Sequence, residues 1–273
     1  GDHTSDVLAR TLHYYGDSAF VIGFALAASW SDGVRPLPTR SRFGVLALAG
    51  VLLVSSAISI VGYRNAWADD RTAEWLETAS ASLSEAAANE GGPVILDQPV
   101  PYEVLLPVAY PKNMYSQVFR DLRDRPEFGD VAYRPRMFDD AGNLTDATVA
   151  EISRIPQGEV EGCGNQLIVG PDGTVGADIP LSSIIRLGDW VLELNAISSE
   201  PLDVRLSLPN PFESPEQTLA GSTVIGLDDE LVQRWVSVSG GGNTLRVDVE
   251  DAPAGASVCI GSGAIGPLVP AEG

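Results

Sequence analysis

The sequence predicts an α+β membrane protein fragment: two transmembrane helices, a small α/β unit and a C-terminal antiparallel β-sandwich of jelly-roll-like type. Three observations predict it. Phe43 to Tyr63 is 21 residues without a charge. Residues 1–63 carry four acids and four Arg, so the whole net charge of −20 lies in residues 64–273. From Gly162 onward, short runs rich in Val, Ile and Leu recur between Gly, Pro, Asp and Ser, the texture of many antiparallel strands.

The first predicted span covers about residues 12–31. Ser18 to Ser31 is uncharged, and extension upstream through Leu12 reaches spanning length, with Asp17 near one membrane face. The second covers 43–63; at 1.5 Å per residue it measures about 30 Å, enough for the hydrocarbon core. Between them lie Arg35, Arg40 and Arg42 against one acid, so the loop is expected in the cytoplasm and both chain ends outside. The lipid bilayer is then a partner of residues 1–63. The first residues, GDHTSD, are acidic and unlike a signal peptide, and the chain reads as a piece of something longer.

Residues 64–155 read as the small α/β unit. Trp75, Leu76, Ala79, Leu83 and Ala86 recur at helical spacing, and the Gly-Gly-Pro at 91–93 ends that helix. PVILD (93–97) reads as a strand, the Pro-rich 98–113 as an irregular connection, 114–122 as a helix, the segment from Val131 as a strand and turn, and 146–152 as a short helix. Residues 156–273 read as the sandwich. In it, Leu192, Leu194 and Ala196 alternate with Glu193 and Asn195, and Leu245, Val247 and Val249 with Arg246, Asp248 and Glu250.

Composition excludes several chemistries. The acidity speaks against a nucleic-acid partner, because phosphate binding needs clustered Lys and Arg. Only two His are present, at 3 and 13, so histidine chemistry is nearly excluded beyond them. Gly261, Gly263 and Gly266 spell a dinucleotide fingerprint by letters, but Pro267 intervenes where the helix should begin, so no nucleotide cofactor is implied. The acid clusters Asp228, Asp229, Glu230 and Asp248, Glu250, Asp251 could hold Ca2+ in the sandwich, but neither has EF-hand spacing and a solvated acidic surface is the favoured reading. No cofactor is otherwise identified.

Cys163 and Cys259 stand at the two ends of the sandwich. Outside the cytoplasm a disulfide is favoured over two separate buried thiols, closing a loop of about 97 residues worth at most roughly 4–5 kcal/mol. Trp190 shares a face with Leu192 and Leu194 and reads as core. Trp235 shares a face with Gln233, Ser237 and Ser239 and is the better candidate for an exposed stacking platform. Arg10, His13, Tyr14, Tyr15 and Asp17 precede the first span; ionisable groups at a membrane face are functional candidates beside the ordinary anchor role. No catalytic residue is identified.

The order of these features resembles the C-terminal part of actinobacterial multispan membrane glycosyltransferases of the GT-C class, the arabinosyl- and mannosyltransferases among them. The matching run is Arg10, Tyr14, Tyr15 and Asp17 before a span, a basic loop, a final span, a Trp-bearing helix, PVILD with VPYEVLLP, PKNMYSQVF, and a sandwich with two Cys. The resemblance implies a carbohydrate-binding-module-like sandwich, a polyprenyl-phosphate sugar donor and a glycan acceptor, taken as neutral because of the negative charge. It also implies that the catalytic loop lies outside this chain, which alone is inactive, and that residues 64–273 are extracytoplasmic on the plasma membrane. The alternatives are a non-enzymatic membrane-anchored envelope protein that binds glycan or protein, and a sensor or stalk of another membrane complex.

Overall fold

The protein is seen in a computed structural model that describes residues 54, 58, 60, 61, 71–89, 92–209, 218 and 220–271. Val54, Ile58, Ile60 and Val61 are helical and exposed; the rest of the predicted spans, 12–31 and 43–63, lies outside the described residues. Residues Asp70–Gly273 form one compact unit.

The predicted fold class is corrected. This unit is built mainly of strands, and no helix among the described residues is long and apolar enough to cross a membrane. The expected α/β layer is not present in residues 71–155 either. Its one long helix, α1 (Arg71–Asn89), is followed by β1 (Ile95–Leu96), a single-turn α2 (Tyr115–Val118), β2 (Phe128–Gly129), β3 (Val131–Ala132), β4 (Arg136–Phe138), β5 (Leu144–Val149) and β6 (Ser153–Ile155). Residues 146–152, expected as a helix, lie largely in β5. Leu144, Ala147 and Val149 are buried there, and the pairing of β5 with β4 and with the last strand overrides local helix preference.

The sandwich itself is present, as one sheet folded over rather than two jelly-roll sheets. Its strands are β7 (Asn165–Ile168), β8 (Val175–Ser198), β9 (Leu202–Ser207), β10 (Thr223–Leu227), β11 (Val232–Val249), β12 (Ser257–Ile260), β13 (Gly263–Gly266) and β14 (Leu268–Pro270). The order β10-β9-β11-β8-β12-β7 runs through the sheet, with β3, β6 and β13 added at its margins; β14 pairs β5. β8 and β11 are long enough to serve both layers. They pair from Val232↔Ala196 to Gly240↔Gly188, change register twice, and pair again from Thr244↔Pro180 to Val249↔Val175. The register breaks are where the sheet turns from one layer into the other. Gly240 has φ +139°, and a Cβ there would lie 2.2 Å from the Leu208 carbonyl oxygen, so no other residue makes that corner without strain.

Both halves bury their alternating faces in one core. Leu192, Leu194, Val236 and Val238 of one layer meet Val204, Leu206, Leu245 and Val247 of the other. The Gly261/Gly263/Gly266 motif belongs to this packing: a Cβ on Gly263 would lie 2.1 Å from the Glu193 carbonyl oxygen, so glycine lets β13 lie against β8.

A second core sits under α1. Trp75, Ala79, Leu83 and Ala86 pack with Ile95, Tyr115, Phe119 and Phe138. Trp75 meets Phe138 edge-on at 5.3 Å between ring centroids, and Tyr115 meets Phe138 the same way at 4.9 Å. Burial pushes the Tyr115 phenol up to about 12 from its usual 10.0. Between those values the unfolded chain has lost the proton that the folded chain keeps, so stability is full below pH 10 and falls as pH rises toward 12. A denaturation series from pH 9 to 12 is expected to show this loss, up to about 2.7 kcal/mol, and Tyr115→Phe is expected to flatten that part of the profile.

Candidate functional site

One edge of β11 is shared by several segments in succession. β3 pairs with it at Trp235↔Ala132 and Val236↔Val131. Ser237 N–H then donates to the Asp130 carbonyl at 2.8 Å, Ser239 N–H to Gly221 at 2.9 Å and Gly241 N–H to Leu208 at 3.2 Å. Where the chain at Asp130 leaves and the chain at Gly221 arrives, a cleft of about 190 Å3 opens.

Its walls combine aromatic rings, carboxylates and hydroxyls. Trp190 stands opposite Val238, and Asp189 opposite Ser239. The Trp190 indole is half-buried, and its N–H is held by the carbonyls of Arg186 at 3.0 Å and Gly240 at 3.3 Å. Ser239 Oγ donates to the Asp189 carboxylate. Asp97, Gln98, Tyr110 and Asp130 close the other side. Asp97 sits just after β1 and accepts from Ser116 N–H at 2.9 Å and Ser116 Oγ at 2.6 Å. It thereby satisfies a free N–H in the first turn of α2 and fixes its own carboxylate at the cleft. Thr223 Oγ1 donates to the Ser237 carbonyl. Ser237 Oγ is buried and makes no hydrogen bond among the described residues, an expensive state for a hydroxyl. Among the described residues no Arg or Lys lines the cleft; Arg205 donates to one lining residue, Ser222, at Oγ, 3.3 Å away.

A larger concavity of about 580 Å3 lies on the outer face of β9, β10 and β11, lined by Asp203, Arg205, Asp248, Glu250 and Asp251. It holds no aromatic ring. The smaller cleft is the better candidate because it pairs a ring with fixed polar groups, the composition of a site that orients a polar ligand.

The residues singled out from sequence fall in different places. Trp190 lines the cleft and also packs against the main core. Trp235 does not line it. It is not an exposed platform: the indole packs against the cluster of Leu96, Ala132 and Val191, and its buried N–H has no partner among the described residues. The alternation of β11 is regular, but the face opposite the main core is covered by residues from 92–155, which local pattern does not reveal. Cys163 and Cys259 form a disulfide, with Cα atoms 4.8 Å apart. Arg10, His13, Tyr14, Tyr15 and Asp17 lie outside the described residues. Among the described residues no group of three or more His, Cys, Asp or Glu is placed to hold a metal ion. Asp248, proposed for Ca2+, instead binds the Arg246 guanidinium at 2.7 Å, and Arg246 also meets Asp178 at 3.2 Å.

Sequence reading missed Asp97, Asp130, Asp189 and Ser239. The Asp189–Trp190 pair was visible as an acid beside an aromatic in a strand. Asp130 carried no signal, because its place depends on a contact with Ser237, 107 residues later in the chain.

No family model matches the chain, and no curated protein does. Among solved structures it is similar to the apo form of BiXyn10A CBM1, at 10% identity and a TM-score of 0.25, over 45% of this chain and 71% of that one. A family two carbohydrate esterase from Cellvibrio japonicus matches at 17% identity and a TM-score of 0.21, over 46% of this chain and 36% of that one.

Proposed function

We propose that residues 71–271 form a glycan-binding domain outside the cytoplasm, which holds one sugar residue of a glycan without anionic groups in the cleft beside Trp190. The carrying observation is the placement of a half-buried indole next to the Asp189–Ser239 pair, Asp130 and Asp97 in a cleft of about 190 Å3. An indole supplies an apolar wall for the C–H face of a sugar ring, and carboxylates and hydroxyls supply acceptors and donors for its hydroxyls. Among the described residues the lining carries no Arg or Lys, which disfavours phosphate, sulfate or uronate. The disulfide supports an oxidising compartment. In the setting that the sequence resemblance implies, this domain presents the acceptor glycan to an enzyme that takes sugar from a polyprenyl-phosphate donor, with the catalytic group elsewhere.

The test is calorimetry of the full chain against neutral arabinan, mannan and galactan fragments. Saturable binding is expected. Trp190→Ala should raise the Kd about tenfold and Ser239→Ala about fivefold, both with unchanged far-UV dichroism. Failure of all three glycans to bind would overturn the reading.

A further inference from the structure

The charge of the cleft narrows its ligand. Asp97, Asp130 and Asp189 line it, with no lining cation among the described residues. Asp97 is occupied by Ser116, and Asp189 accepts from Ser239. The Asp130 carboxylate is exposed and has no hydrogen bond or ion pair among the described residues. At the back, Ser237 Oγ is buried without a partner. At the mouth, Tyr110 is exposed by 67%, and Trp190 stands inside.

A neutral sugar brings such a cleft no counter-charge for its three carboxylates, of which Asp97 and Asp189 hold only neutral hydrogen-bond donors. A cation placed among them gains charge-assisted hydrogen bonds and attraction to the ring faces of Tyr110 and Trp190. The remaining walls, indole and hydroxyl, still suit a polyhydroxylated ring. We propose that this cleft selects an unacetylated amino-sugar residue, its ammonium group set between Asp130 and Asp189. This rests on the glycan-binding reading and specifies its ligand.

The experiment titrates the full chain by calorimetry with three tetrasaccharides and one peptide: deacetylated chitotetraose, N-acetylated chitotetraose, cellotetraose and tetralysine. Deacetylated chitotetraose is expected to bind about tenfold more tightly than the other two sugars and than tetralysine. Asp130→Asn and Asp189→Asn should each abolish that preference, so that deacetylated chitotetraose and cellotetraose bind the same variant with affinities within about twofold of each other. Both are exposed positions, so the melting temperature checks that each variant is folded. Equal affinity for the three tetrasaccharides overturns the amine selection and leaves the glycan reading standing. Tetralysine binding as tightly as deacetylated chitotetraose overturns it too, since charge alone is then being read. No binding of any sugar overturns both.

Discussion

Replacing both cysteines with serine is expected to lower stability by about 4–5 kcal/mol. The Cys163–Cys259 bond joins residues 96 apart in sequence. In the unfolded chain it closes a long loop, and the entropy of that loop is lost to the denatured state only while the bond is intact. In the folded chain it ties the turn before β7 to β12, which pairs with both β7 and β8. Both cysteines are only partly buried, so serine there leaves no large cavity and the entropic term dominates. Calorimetry of the double variant should show a melting temperature roughly 10–15 °C below the parent. A shift under about 3 °C would mean that the unfolded chain is already compact enough for the bond to constrain little.

Trp75→Ala is expected to cost about 3–5 kcal/mol, the range for truncating a buried aromatic. Trp75 is 4% exposed and is the largest side chain by which α1 reaches its core. It touches Phe119 and Phe138, and its N–H donates to the Asp139 carbonyl at 3.2 Å. The alanine variant therefore loses ring contacts, leaves a cavity and removes one of two donors to the Asp139 carbonyl, which keeps the Gly142 N–H at 3.0 Å. Glu85, exposed on the same helix, is the control: Glu85→Ala should stay within about 0.5 kcal/mol. The cost reaches the cleft. Ile95 and Phe128 belong to the same cluster, and the chain leaves it at Asp97 and Asp130. Chemical denaturation measures the first effect. Loss of glycan affinity under conditions where the variant is still folded measures the second. A destabilisation below about 1 kcal/mol would show that α1 is not held by this residue.

How much of this was legible beforehand differs by element. The helix over 71–89 follows from Trp75, Ala79, Leu83 and Ala86, whose spacing puts four apolar side chains on one face, and those four are its buried residues. The strands of the sandwich follow from alternation: Leu192, Leu194 and Ala196, and Leu245, Val247 and Val249, are buried as their period of two requires. These are local properties, set by the geometry of one helix or one strand.

The rest was decided by partners distant in sequence. Alternation places Trp235 on the face away from the main core, but whether that face meets water depends on β3 and residues from 92–155 lying over it. Residues 146–152 lie largely in β5 because β4 and β14 offer it hydrogen bonds. The two layers exist because β8 and β11 change register near Gly240, where the Leu208 carbonyl leaves no room for a side chain. The cleft is the clearest case. Asp97, Asp130, Asp189 and Ser239 come from four separate stretches, and no spacing in the sequence relates them. By itself the sequence determined which residues turn inward and which cysteines could pair. Only the tertiary structure decided what covers each outward face, because that depends on long-range strand pairing and on volume rather than on any local period.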